Sequence, residues 1–406
     1  MQLSLLYHAK TRIISNHSET PFMKTALPLA NLIVVELGTS VAGPVAGQIL
    51  AELGAQVIKI EPPVVGDDAR HWGPPFVSGT AAVFNAINRN KLSAVVDLKD
   101  ELQRTMLRRF IIERVDIVLQ NFRPASVERL QLDAKTLRGS KPSLIYCNIG
   151  AYGTAGPQQS RPGYDPLMQA FSGIMGITGE EGHAPVRVGP PIVDQGAGMW
   201  AVVGILAALH HRALTGDGCE VGTSLYESAL GWMGMHAASF LASGRAPKRL
   251  GTENPGIVPS KAFEVADGWL FIAAGNDTSF RLLADCLGHG DWADDSRFRT
   301  NPDRVRHRES LNALIEEVVV NDKKAVWKQK LDAAGVPCAP VLSLEQVLAE
   351  PQFAAVGMLQ SAPDGSSSLL GLPLRFDGAR PPFRRPPPAL GSDSAVISGF
   401  FPGAAT

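Results

Sequence analysis

The stretch "LIVVELGTSVAGPVAGQILAELGAQVIKIEPP" (32–63) constrains this chain more than any other. "LIVVEL" and "QVIKIE" are apolar runs of strand length. Between them, "PVAGQILAELG" places Pro44 at a first-turn position and Gly54 where a helix would end. Two strands joined through a helix run parallel, with a right-handed crossover. Further strands are predicted at "SAVVDL" (93–98), "VDIVLQN" (115–121) and "SLIYCNI" (143–149). Helices "DELQRTMLRRFIIER" and "SVERLQLDAKTLRG" lie between them. This alternation predicts a large doubly wound, Rossmann-like α/β domain.

Beyond residue 195 the pattern changes. A long helix is expected over about 196–214, then a short strand and a second long helix near 225–243. Residues 250–330 read as a small α+β unit, with "KAFEVADGWLFIAAG" as a hairpin turning at Asp267-Gly268. A chain of 406 residues fits about two domains. The expected division is a disordered extension over 1–23, a large domain from 24–214 with 340–406, a linking helical region over 215–249, and the small domain. From 372 the chain is proline-rich ("RPPFRRPPPALG") and should run extended over a surface.

Several functional classes are disfavoured. A net charge of −1 gives no basic field for nucleic acid or an anionic membrane. Cys147, Cys219, Cys286 and Cys338 lie far apart, without zinc-ribbon spacing, which suits a reducing cytoplasm and predicts no metal site. The run "MWAVVGILAAL" (199–209) is short of the roughly 20 residues that span a bilayer. Residues 1–22 carry Lys10, Arg12 and serines with Glu19 as their acid, a weak match to an organelle leader beside the cytoplasmic reading.

Three constellations are candidates for chemistry. In the first βαβ unit, Glu61 stands where a ribose-binding acid belongs, but the turn from Gly38 to Pro44 lacks the GxGxxG spacing of a dinucleotide site. Next, "NRNKLSAVVDLK" and "QNFRPASVER" place Arg89, Lys91, Lys99, Arg123 and Arg129 on either side of a strand, with Phe122 among them. Cations plus an aromatic suit a phosphorylated adenine nucleotide; solvated helix ends are the competing reading. Last, residues 161–200 contain Tyr164, Asp165, Arg187 and Asp194. In "PPIVDQGAGMW", Asp194 reads either as a helix N-cap or as a reacting carboxylate.

These motifs, in this order, resemble the family III CoA-transferases, the formyl-CoA and carnitine CoA-transferase group that includes α-methylacyl-CoA racemases. The resemblance runs over about 24–395, through "VAGPVAGQILAELGAQVIKIEPPVVGDDAR", "NRNK…VDLK", "NFRPASVERL", "GYD…SGIMGITG", "PVRVG…VDQGAG" and "TGDGCEVGTSLYESAL". It implies CoA contacts at Ser40, Val41, Ala42, Val96, Lys99, Asn121, Phe122 and Arg129, with Arg89, Lys91 and Arg123 in the same motifs. It makes Asp194 the catalytic aspartate, Tyr164 and Asp165 its supporting pair, and Trp72 an acyl-pocket aromatic. Arg187, read from its own position, either holds the second carboxylate of a dicarboxylic substrate or pairs with a structural acid. It further implies an interlocked homodimer whose large and small domains are joined by long linkers. The family's glycine-rich lid is only loosely echoed by "GTENPGIVPS".

The implied reaction moves CoA from an acyl-CoA donor, succinyl-CoA or another dicarboxylyl-CoA, to an acceptor acid through an aspartyl anhydride and an aspartyl-CoA thioester. A CoA thioester is substrate, and no permanently bound cofactor is called for. Asp194 at an ordinary pKa of about 3.9 would already be ionised, and the glycines after it would leave helix N–H groups for developing oxyanion charge. The racemase alternative needs a His-Asp pair where this chain has Tyr164-Asp165, and tyrosine, with a pKa near 10, is a poor neutral-pH base. A catalytically silent CoA-binding protein is the third reading, against which Asp194 itself speaks.

Overall fold

The computed structural model describes residues 27–398. The extension expected over 1–23 lies outside them. Six strands form the main sheet: β1 (Ile33–Leu37), β2 (Gln56–Glu61), β3 (Leu92–Val95), β4 (Ile117–Gln120), β5 (Ile145–Gly150) and β6 (Glu220–Ser224). All neighbours are parallel, in the order β3-β2-β1-β4-β5-β6. This is the doubly wound order, whose chain direction reverses between β1 and β4 and leaves a crevice at their carboxyl ends.

The helices α1 (Ala42–Glu52), α2 (Ala82–Asn88), α3 (Glu101–Arg114), α4 (Pro124–Arg129) and α5 (Ala134–Ser140) connect the first five strands. "SVERLQLDAKTLRG" makes two helices because the Asp133 side chain accepts from Thr136 N–H at 2.9 Å and starts α5 afresh. Next come α6 (Asp165–Phe171), α7 (Ile174–Ile177) and the 24-residue α8 (Ile192–Thr215). Starting four residues earlier than expected, α8 is long and apolar enough to cross a bilayer by length and composition, which the 199–209 run is not. One face of it lies in the core with Val193, Ala197, Ala201 and Ile205 buried. A Cβ on Gly198 would meet Ala42 O and Val45 at 2.9 Å, so glycine there permits the close crossing of α8 over α1.

Two boundaries move. The 215–249 stretch, read as a linking region, contributes β6 to the main sheet, so only its later part is free to link. The helix expected near 225–243 divides at Met233 into α9 (Leu225–Trp232) and α10 (Gly234–Ser243). In the small unit, β7 (Ser260–Val265) and β8 (Gly268–Ala273) pair through a tight turn, with Gly268 at a φ of 131°. A third strand, β9 (Cys338–Pro340), pairs with β8. The second core runs from Val258 to Val336, so this unit continues past residue 330. The chain then returns to the large domain, where Leu372 joins one core and Ile397 another. The proline-rich stretch has no regular element; Pro388 O accepts from Arg70 Nη2 and Asn90 Oδ1 accepts from Arg385 N–H.

Candidate active site

Beneath the crevice lies a buried ionic layer. Glu36 on β1 and Lys59 on β2 are partners in register and form an ion pair of 2.9 Å. Lys59 also pairs with Asp67 at 2.7 Å, and Lys91 with Glu36 at 2.8 Å. A Cβ on Gly47 would fall 1.8 Å from Glu36 Oε2, so glycine makes room for that carboxylate. Burial pulls the Lys91 ammonium down to about 8, opposed by Glu36. Two bidentate pairs flank this group: Arg70 on Glu61, with 2.7 Å contacts, and Arg89 on Glu52, at 2.7 and 2.8 Å. Burial alone would raise the Glu61 carboxyl; hydrogen bonds from Arg70 and Ser93 bring it below its ordinary value.

This layer corrects part of the sequence reading. Glu61 is occupied by Arg70 and is not a ribose acceptor. Arg89 and Lys91 are fully buried and present no charge to the crevice. Arg89 instead donates to Glu52 and Gln360, fastening the returning C-terminal segment to α1. Val96 is buried in the core between β3 and α3, and Lys99 and Arg129 are exposed away from the cavity wall described next.

Above the layer opens a cleft of about 740 Å³. Its lining unites Ser40, Val41, Ala42, Asn121, Phe122 and Arg123 with Trp72, Tyr164, Asp165, Arg187 and Asp194. The first group comes from the loops after β1 and β4, at the switch point. Asn121 closes these loops together: its Oδ1 accepts from Thr39 N–H at 3.1 Å and its Nδ2 donates to Thr39 O at 2.8 Å. Ser40 has a φ of 68°, and its N–H donates to Asp67 Oδ1 at 3.0 Å. The ionic layer thus reaches up to hold the turn.

The floor of the cleft carries two acids with different roles. Asp194 lies within the first turn of α8 and caps nothing; Pro191 holds the N-cap position without a capping side chain. The cap comes from Asp165 on α6, whose Oδ2 accepts from Val193 N–H at 2.8 Å and Asp194 N–H at 3.2 Å. Gln169 Nε2 donates to the other Asp165 oxygen at 2.6 Å, and Gln169 Oε1 accepts from Val188 N–H at 2.9 Å. Ile192 and Gln195 N–H donate to Pro190 and Pro191 carbonyls. Hence the first-turn N–H groups are all engaged, and the expected reserve of free donors for an oxyanion is absent there. Gly196 serves packing: a Cβ on it would lie 2.7 Å from Ser228 Oγ.

No hydrogen-bond donor among the described residues reaches the Asp194 carboxylate. Burial, and then the like charge of Asp165, push its pKa up to about 7. The expectation of an ordinary, fully ionised aspartate is therefore corrected. Gln169 was not singled out from sequence, although its spacing one helical turn after Asp165 is the available signal. The "GTENPGIVPS" stretch is not among the cleft-lining residues. Among the described residues no group of His, Cys, Asp and Glu has metal-ligand clustering.

Fold and site define a doubly wound α/β enzyme with a ligand cleft at its switch point and, on the floor, one hydrogen-bonded acid beside one that has no donor. The chain belongs to CoA-transferase family III, which it matches over residues 29–394, and it is a transferase of that family. It is 37% identical to a succinate–glutarate CoA-transferase of Agrobacterium fabrum, covering 91% of this chain and 94% of that protein. It is 35% identical to an acetyl-CoA:oxalate CoA-transferase of Acetobacter aceti, covering 95% and 98%. A CaiB/BaiF family protein of known structure from Brucella suis superposes with a TM-score of 0.83 at 40% identity, covering 93% of this chain and all of the other, 100%.

Proposed function

We propose that Asp194 is the nucleophile of CoA transfer between carboxylic acids. The observation that carries this is its state: an aspartate lining the cleft, with no hydrogen-bond donor of its own, beside a second acid that has several. One Asp194 oxygen attacks the thioester carbonyl of the donor; the C–S bond breaks, giving an acyl–aspartyl anhydride and CoA thiolate. The thiolate attacks the aspartyl carbonyl, expelling the donor acid and leaving an aspartyl-CoA thioester. The acceptor carboxylate attacks that thioester, forming a new anhydride and freeing thiolate once more. Thiolate attack on the acceptor acyl carbonyl then yields the new acyl-CoA and restores Asp194. Each step is an exchange at an activated acyl group, easier than direct attack of one free acid on a distant thioester.

In this reading the turn at Ser40, Val41 and Ala42, with Asn121, Phe122 and Arg123, receives the CoA moiety, and Lys99 and Arg129 supply positive charge outside the cleft. Trp72, Tyr164 and Arg187 face the acyl group. Asp165 acts as a positioning residue, fixing the start of α8 and raising Asp194 basicity. Tyr164 is 58% exposed, and the Asp165 oxygens are engaged, so neither is set up for α-proton exchange. The acceptor is a dicarboxylic acid and succinyl-CoA the favoured donor. The name of the Agrobacterium fabrum relative, with succinate and glutarate, supports both, and that of the Acetobacter aceti relative, which pairs acetyl-CoA with oxalate, supports the acceptor class.

The functional unit in this reading is a homodimer of interlocked subunits. Helix α10 buries none of its residues, and Met235 and Leu241 on it are 83% and 82% exposed. Met199, Trp200 and Val203 form an apolar stripe on α8 that a second copy would cover. Sedimentation of the purified protein as a monomer at micromolar concentration would overturn the dimer. For the reaction, protein is incubated with succinyl-CoA and a panel of acids, and new thioesters are read by mass spectrometry in deuterated water. New acyl-CoA is expected; α-carbon deuterium without new thioesters would sink the transfer reading.

A further inference from the structure

The cleft is lined by three guanidinium groups, Arg123, Arg161 and Arg187. Arg123 stands at the N-cap of α4, next to Asn121 and Phe122 on the nucleotide side. Arg161 and Arg187 come from two other segments, one just before Tyr164 and one in the loop leading into α8. The buried guanidiniums of Arg70, Arg89 and Arg304 are each matched with a carboxylate. Among the described residues Arg161 and Arg187 have no carboxylate partner; Arg187 Nη1 donates only to Gly189 O, at 3.2 Å.

An exposed arginine without a partner is ordinarily just solvated. Two features set this pair apart. First, they share one cavity with the reacting acid, and the Arg187 loop is anchored by the bond from Val188 N–H to buried Gln169. Second, neither guanidinium forms a hydrogen bond or ion pair with Asp194, although all three residues line the same cleft. A group reacting at Asp194 therefore leaves both forks unsatisfied unless it carries a second anion at its far end. Guanidinium forks match carboxylates in a planar, two-point geometry.

We propose that Arg161 and Arg187 grip the far carboxylate of a dicarboxylic acid whose near carboxyl reacts at Asp194. This rests on the reading of Asp194 given above, and it assigns acid selectivity to two cleft-wall residues. A monocarboxylic acid of equal length makes the same bond at Asp194 but leaves the pair solvated.

The test compares glutarate with valerate as acceptors from one donor, in the parent protein and in Arg161→Ala, Arg187→Ala and the double variant. The double variant should lower the glutarate-to-valerate ratio of kcat/KM by roughly 10- to 100-fold, through KM, in keeping with a lost charge-assisted pair. Arg187→Lys should restore part of that ratio. Equal losses with both acids, or an unchanged ratio, would overturn the proposal. Glutarate binding is measured in parallel by calorimetry on Asp194→Asn with CoA present. If the parent protein forms no acyl-CoA but glutarate binds Asp194→Asn and is released by removing both arginines, the transfer reading fails and the carboxylate grip stands. If glutarate fails to bind, or binds regardless of the arginines, the grip is refuted.

Discussion

The ionic layer beneath the crevice and the acid pair on its floor handle charge in opposite ways. Glu36, Lys59, Asp67 and Lys91 are withdrawn from water, and each carboxylate meets an ammonium within 2.9 Å. Desolvation is costly for each of these ions, and pairing offsets it. On the floor, Asp194 has the desolvation without the pairing. Its neighbour Asp165 differs in that three neutral donors hold its oxygens. The unpaired acid is the one whose carboxylate is destabilised, which makes it basic, as the proposed attack on an acyl group requires. Destabilisation at a functional site, supported by a saturated structure around it, is a recurrent arrangement.

Substitutions at each place can break this contrast. The largest effect is expected for Asp194→Ala, a loss of at least about 10⁴-fold in acyl-CoA exchange with an intact fold, read by thioester assay and thermal melting. Arg89→Ala should cost about 3–5 kcal/mol in denaturant unfolding, because it strands Glu52 in the core and unfastens the C-terminal return. Asp165→Ala should cost about 1–2 kcal/mol through loss of the α8 cap. It should also move the acidic limb of the pH–rate profile downward, since a like charge beside Asp194 is gone. An unmoved limb would reduce Asp165 to a cap alone.

The smallest effect is on stability at the floor itself. With a folded pKa of about 7, above its ordinary value, Asp194 favours folding while it is protonated. That contribution is whole below the unfolded pKa and is lost as pH rises through about 7. Asp194→Asn should therefore melt roughly 2–4 °C above the parent protein at pH 8, with the gap closing toward pH 4. The same ionisation governs rate, so kcat/KM in the parent should climb tenfold per pH unit below 7 and level off above it.

Much of the frame was legible because it is written in local periodicity. The runs "LIVVEL" and "QVIKIE" around a Pro44-started helix announce parallel strands without any long-range information. Their internal charges, Glu36 and Lys59, are visible in the same letters, but their pairing depends on strand register. Arg89 and Lys91 misled for the same reason: a cation in a polar-looking loop and one sealed against a glutamate read alike until the core closes. At the floor, helix-boundary chemistry put an acid at the α8 start and left open whether it caps the helix; it does not. The cap is supplied by Asp165 from a distant helix, which no pattern around "PPIVDQGAG" encodes.

The most direct test of Asp194 as the acyl carrier is chemical trapping. Protein incubated with succinyl-CoA is quenched with hydroxylamine and digested, and the peptides are mapped by mass spectrometry. A hydroxamate on Asp194 that appears only with donor present is the expected result. Continued transfer with Asp194 unlabelled, or with the hydroxamate on Asp165 or another acid, would contradict it.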